Sequence, residues 1–171
     1  MFLVPGELVE CGMLSFFRPF ESMKILAIVV ISSTLLICGY FVFLSMSAAR
    51  PQGGVENGRL KPCPDKPNCV TSETGGAVRE GQSIRPLTLG RPDQWQDLAN
   101  IIERQGGEVI EHSEDYLRAE FRSRLFRFVD DLEVRLDDDK TTLHIRSGSR
   151  SGTSDLGINR KRVEALRERL N

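Results

Sequence analysis

Residues 116–149 read YLRAEFRSRLFRFVDDLEVRLDDDKTTLHIRSGS. Apolar and polar residues alternate through three segments of this stretch, and successive side chains of a strand point to opposite faces of its sheet. In residues 116–123, Leu117, Ala119 and Phe121 fall on one face and Tyr116, Arg118, Glu120 and Arg122 on the other. In residues 128–136, Phe128, Leu132, Val134 and Leu136 share a face, and the same parity places Asp130 among them. In residues 141–149, Leu143, Ile145, Ser147 and Ser149 line one face. Asp137-Asp138-Asp139-Lys140 separates the last two segments and has turn composition. A meander of three antiparallel strands is therefore expected.

Register follows from the turns. A four-residue loop joining Leu136 to Thr141 sets Val134 opposite Leu143, Leu132 opposite Ile145, Asp131 opposite Arg146 and Glu133 opposite His144. Pairing Ser123 with Phe128 sets Arg118 opposite Glu133 and Glu120 opposite Asp131. Apolar residues then meet apolar ones on one face, and a ladder of charges crosses the other.

The flanks add the second layer. Residues 83–87, SIRPL, suit a short edge strand, because Pro86 lacks the N–H a central strand needs. Residues 93–105 carry Trp95, Leu98, Ala99 and Ile102 at helical spacing, and Gly106-Gly107 ends the run. A short strand is expected over residues 108–112. The last helix is expected to begin near Asn159 as its N-cap, with Val163, Leu166 and Leu170 as its apolar stripe. The fold class is α+β: an antiparallel sheet of four to five strands covered on one face by two helices, behind an N-terminal transmembrane helix.

Residues 25–49, ILAIVVISSTLLICGYFVFLSMSAA, contain no charge. That is enough for a spanning helix of about 20 apolar residues, and the run lacks the polar stripe of a buried amphipathic helix. Arg18 and Lys24 precede it and Arg50, Arg59 and Lys61 follow, so flanking charge sets no orientation. Met23-Lys24 resembles the opening of a signal sequence, and Ser47-Ala48-Ala49 resembles a cleavage site. The run exceeds a signal-peptide core of about 7–15 residues, so an uncleaved signal-anchor is expected. Residues 1–24 are then a tail, residues 50–60 a linker, and residues 61–171 a soluble domain. Cys63 and Cys69 bracket CPDKPNC, a loop stiffened by two prolines. A disulfide there implies an oxidising, extracytoplasmic compartment; two free thiols are the alternative. Zinc needs about four ligands, and none stands near these two, so no metal is expected.

The 171 residues carry 23 Lys and Arg against 24 Asp and Glu, and aromatics are only 7%. Nucleic-acid binding, which draws on a basic surplus and stacking rings, is not expected. Residues 146–162, RSGSRSGTSDLGINRKR, gather cations and hydroxyls before a helix start, which suits an anion. The segment lacks the phosphate-loop spacing, and no cofactor motif is present, so no cofactor is expected. Asp130 on the core parity needs a cation or donors, since an unpaired buried charge is costly. Arg150 and Arg160 are its expected partners, with Ser147 across the hairpin. Neither His112 nor His144 has a serine or cysteine partner suited to catalysis.

The combination of CPDKPNCVTS, SIRPL, the 116–136 stretch and IRSGSRSGTSDLGINRKRVEALRERL resembles the domain of unknown function 1499 family over residues 60–170. The resemblance rests on Pro67-Asn68-Cys69-Val70, Phe128-Val129-Asp130-Asp131 and the stretch from Arg146-Ser147 to Arg160. Phe126-Arg127-Phe128 departs from the family pattern, where a glycine commonly precedes the phenylalanine. The resemblance implies the same α+β domain, often behind a membrane or export segment, and it implies no reaction.

The leading expectation is a single-pass, membrane-anchored, extracytoplasmic domain. Membrane lipid surrounds residues 25–49, and a non-enzymatic cleft of Asp130, Arg146, Ser147, Arg150, Asn159 and Arg160 holds an anionic small ligand or an envelope protein. A hydrolase or transferase acting on an anionic substrate, and a purely structural envelope protein, are the alternatives.

Overall fold

The computed structural model of the chain describes residues 18–47, 53–73, 79–91 and 93–170. The chain divides into two compact units, residues 1–40 and 41–171.

Helix α1 spans Arg18–Ser47. It begins seven residues before the uncharged run, and an ion pair of Lys24 with Glu21 at 2.8 Å sits in its first turns. Its stretch Glu21–Ser45 is long and apolar enough to cross a membrane. Two hydroxyls near its middle bond back to the helix: Ser33 donates to the carbonyl of Val29 at 2.7 Å and Thr34 to that of Val30 at 2.8 Å. Such back-bonds suit a medium without water. Cys38 is a free, half-buried thiol in this helix.

The second unit is built on one antiparallel sheet. After a hairpin of β1 (Val55–Glu56) and β2 (Arg59–Leu60) come β3 (Cys69–Thr71), β4 (Leu87–Thr88), β5 (Gly107–His112), β6 (Tyr116–Arg122), β7 (Val129–Leu136) and β8 (Thr142–Ser149). The order across the main sheet is β3-β8-β7-β6-β5, and β4 also pairs with β8. Strands β3 and β4 lie end to end along β8, opposite residues 146–148 and 142–143. Six strands thus make a sheet five strands wide. Helices α2 (Gln94–Arg104) and α3 (Ile158–Leu170) supply the second layer.

The expected pairing of β6 with β7 holds: Arg118 faces Glu133 and Glu120 faces Asp131. The expected pairing of β7 with β8 is corrected by two residues. Val134 faces Ile145, Leu132 faces Ser147, Glu133 faces Arg146 and Asp131 faces Gly148. Asp137 extends the ladder, its N–H donating to the carbonyl of Thr142 at 2.8 Å, so the turn lies further along the chain. The Asp139 carboxylate fixes it, accepting from the N–H of Thr141 at 2.8 Å and of Thr142 at 2.7 Å. A shift of two preserves side-chain parity, so the two faces keep their character.

One face of the sheet and the two helices form the core. Leu117, Ala119, Leu132, Val134, Leu143 and Ile145 are fully buried against Leu98, Ile102, Val163 and Leu166. Each of these leucines, isoleucines and valines contributes about 1.5–3 kcal/mol by leaving water. The two helices are also tied directly, Gln94 Nε2 donating to the carbonyl of Leu170 at 3.1 Å.

Candidate functional site

The stretches around Asn68, Asp130 and Ser147–Arg162 converge on one end of the sheet. On the helix-covered face, α3 is entered through Asp155, whose carboxylate accepts from the N–H of Asn159 at 2.8 Å and of Gly157 at 3.1 Å. Asp155 therefore caps the helix, not Asn159 as expected. With Ile158 as the first helical residue, Asn159 lies inside the first turn and its side chain points into the protein. Ser147 Oγ donates to Asn159 Oδ1 at 2.6 Å. Asn159 Nδ2 donates to the carbonyl of Asn68 at 3.1 Å and to Ser149 Oγ at 3.0 Å.

Asp130 completes this cluster. It accepts from Ser149 Oγ at 2.5 Å and from Arg162 Nη2 at 2.7 Å. Arg162 also reaches Asn159 Oδ1 at 2.5 Å, and its guanidinium carbon lies 4.2 Å from the centre of the Phe121 ring. The expected partners of Asp130 were Arg150, Arg160 and Ser147, and none of them bonds it. The two-residue shift puts Ser149 beside Asp130. Positions 160 and 162 diverge by about 200° around a helix, so Arg162 faces the sheet. Arg160 instead donates to the carbonyls of Gly81 at 2.7 Å and Ser83 at 2.8 Å.

The opposite face is a network of buried charges. Arg150 donates through Nε to Asp131 Oδ2 at 2.7 Å and through Nη2 to Asp131 Oδ1 at 2.7 Å and Glu120 Oε1 at 2.5 Å. Arg118 adds a bond to Asp131 at 3.1 Å, and Arg122 one to Glu120 at 2.5 Å. The Asp131 carboxylate raises the pKa of the Arg150 guanidinium above its already high ordinary range. Farther along, Arg146 donates to Glu133. Glu133 also accepts from Tyr116 Oη at 2.7 Å and from the N–H of Gly54 at 2.5 Å. Burial and the Glu133 carboxylate push the Tyr116 hydroxyl well above the usual phenol range. Asp131 is only 3% exposed, whereas Asp130 is partly open, which reverses the expected assignment of buried and surface aspartates. Arg146 meets Glu133 rather than Asp131.

One of the six residues expected to hold a ligand, Arg160, lines an open cleft. That cleft, of about 380 Å³, is lined by Ser72, Ser83, Arg85, Pro86, His144, Arg160 and Glu164, among others. Among the described residues no carboxylate pairs with Arg85 or Arg160, while Glu164 is taken by Arg167 at 2.9 Å. Ser72 Oγ is committed to Ile145, accepting from its N–H at 2.7 Å. A second cleft, of about 400 Å³, adjoins the far end of β7. Arg59, Glu73, Asp115, Arg135, Asp137 and His144 are among its walls. There Arg135 bonds Glu73 at 3.1 Å and Asp137 at 2.9 Å. Bonding to Arg135 holds the Asp137 carboxyl below the usual range.

Sequence reasoning missed Arg162, though its signal was present: with Asn159, Val163 and Leu166 it shares the inward stripe of α3. Cys63 and Cys69 are joined by a disulfide, their Cα atoms 5.8 Å apart. The bridge sits where β3 starts, and Asn68 beside it donates through Nδ2 to the carbonyl of Gly152 at 2.8 Å. The disulfide loop, the 150–158 segment and α3 are thus tied into one corner. No curated protein and no solved structure matches the chain. A family model described as a protein of unknown function, DUF1499, matches residues 59–170, which hold the whole sheet from β2 onward and both covering helices, and the chain belongs to that family.

Proposed function

We propose that this protein is a single-pass, membrane-anchored, extracytoplasmic domain that binds an anionic group without transforming it. The anchor is α1, which has the length and composition to span. The Cys63–Cys69 disulfide supports an oxidising compartment for the second unit. A reporter fused after Asn171 that is active only in the cytoplasm would overturn this placement.

The observation that carries the binding role is the pair of arginines, Arg85 and Arg160, in the cleft beside Ser72 and Ser83. The other expected site residues spend their polar groups on one another. Asp130, Ser147 and Asn159 are held in the Arg162 cluster, and Arg146 and Arg150 hold the chain's own carboxylates. Arg160 is rooted by carbonyls of the 81–83 segment and open to the cleft. Ser72, one of the two serines lining the cleft, is bonded to the Ile145 backbone, which suits a positioning role rather than a nucleophile's.

The test is a thermal-shift titration of the detergent-solubilised full chain with inorganic phosphate and glycerol phosphate. A ligand at a hundred times its Kd stabilises by about 2.7 kcal/mol. A rise in Tm that disappears in Arg160→Ala and Arg85→Ala is expected. No rise with either anion, or an equal rise in both variants, would sink the assignment.

A further inference from the structure

We propose that the β6–β7 hairpin tip, residues 123–128, inserts into the membrane interface and takes anionic lipid headgroups on its arginines. The tip reads Ser-Arg-Leu-Phe-Arg-Phe. Leu125 is 73% exposed at its apex, and Arg124 and Arg127 are exposed beside it. A tight hairpin in water normally carries polar turn residues, as residues 137–140 do at the other end of β7. This one carries leucine and two phenylalanines. Among the described residues neither Arg124 nor Arg127 has a carboxylate partner, in a unit whose other face pairs its arginines closely.

The occupant is identified by what already touches the tip. Phe41 and Ser45 belong to the same compact unit and lie within the stretch apolar enough to cross a membrane. The Phe41 ring is 5.2 Å from that of Phe126 and 6.4 Å from that of Phe128, and Ser45 Oγ donates to the carbonyl of Arg127 at 2.5 Å. The hairpin tip is thus at the level of the last turns of the apolar helix. If those turns are in the bilayer, Leu125 and Phe126 meet its headgroup boundary. Aromatic and aliphatic side chains flanked by arginine are the composition that this boundary favours, and anionic headgroups complement the two arginines. The segment that leaves β8 at the same end of the sheet also exposes apolar side chains, Leu156 at 84% and Ile158 at 51%.

The inference rests on the membrane reading of α1, and the experiment separates the two. In the full chain, Cys11 and Cys38 are replaced by alanine and the Cys63–Cys69 disulfide is kept. Single cysteines at Leu36, Leu125 and Asp138 carry an environment-sensitive fluorophore. Each protein is reconstituted in phosphatidylethanolamine–phosphatidylglycerol vesicles with and without brominated acyl chains. Quenching and a blue shift are expected at 36 and 125, and water-like emission at 138. Quenching at 36 with water-like emission at 125 overturns the hairpin inference alone. Water-like emission at 36 overturns the anchor and the hairpin together. Replacing phosphatidylglycerol by phosphatidylcholine should lower the quenching at 125 and leave that at 36 unchanged. Equal quenching at 125 in the two lipids would overturn the assignment of headgroups to Arg124 and Arg127.

Discussion

Arg150 grips Asp131 with two nitrogens, each at 2.7 Å, and spends one of them a second time on Glu120. The side chains of Asp131 and Arg150 are 4% and 5% exposed. This bidentate geometry is the strongest form of arginine–carboxylate pairing. Truncating Asp131 to alanine leaves Arg150 and Arg118 buried with too little compensating charge. A loss of about 3–5 kcal/mol is expected. Asp130→Ala removes one partner from a cluster that is partly open, and a loss of about 1–3 kcal/mol is expected. Denaturant unfolding of both variants checks the order, and a larger loss for Asp130 would contradict it.

Asn159 is fully buried and bonds Ser147, Ser149, Arg162 and the carbonyl of Asn68. Alanine there strands several donors and acceptors at once. A loss of about 3 kcal/mol is expected, with increased proteolysis in the 150–158 segment, because Asn68, which holds the Gly152 carbonyl, loses the bond from Asn159 to its own carbonyl. Limited proteolysis with mass mapping reads the second effect. Unchanged cleavage would mean that the segment is held elsewhere.

The disulfide closes a loop with a sequence separation of only 6. Short loops lose little chain entropy on closure, so the bridge is worth about 2 kcal/mol at most. Cys63→Ser with Cys69→Ser should leave a folded protein of reduced Tm. Non-reducing mass spectrometry of the wild type should show these two thiols protected and Cys38 alkylated. Free alkylation of Cys63 and Cys69 in protein taken from its native compartment would refute the bridge.

Asp139 holds the β7–β8 turn through the Thr142 hydroxyl at 2.6 Å and the N–H groups of Thr141 and Thr142. The Thr142 hydroxyl and the two backbone donors keep its carboxyl well below the usual carboxylate range. The unfolded chain therefore takes up the proton first. The stability supplied by Asp139 is complete above about pH 4 and is lost as pH falls toward the folded value. The Tm advantage of wild type over Asp139→Asn should be full at about pH 6 and smaller at about pH 3. An advantage that grows on acidification would invert the sign and exclude this account.

The alternation in residues 116–149 was enough to place Leu117, Ala119, Phe121, Leu132, Val134, Leu136, Leu143 and Ile145 on the core face, because one buried face tolerates no slip of a single residue. It did not resolve a slip of two, which parity cannot see; the Asp139 contacts decide that. Burial of the charged face was also illegible. A polar face reads as solvated, yet here Arg118, Arg122, Arg146 and Arg150 lay their stems across the sheet and close over Glu120, Asp131 and Glu133. Strand β3 was missed because Cys69-Val70-Thr71 is too short to alternate. The spacing of Asn159, Arg162, Val163 and Leu166 marks the inward side of α3, whereas cation content alone does not separate Arg162 from Arg150 and Arg160.

Strand β5 lies at the border of the sheet, and its pairing with β6 is interrupted between Val109 and Glu111. The bulge puts Ile110 out of the ladder, and Glu108, Glu111 and His112 are exposed along the strand. A second molecule adding its own β5 here would meet an irregular row of donors and bring like glutamates together. The opposite border, β8, is already occupied along its length by β3 and β4. Those two covering strands are too short to template a partner. Under the proposed anchoring, which would concentrate the protein in two dimensions, these borders keep it from joining edge to edge, so that crowding does not turn its sheet into the seed of a fibre.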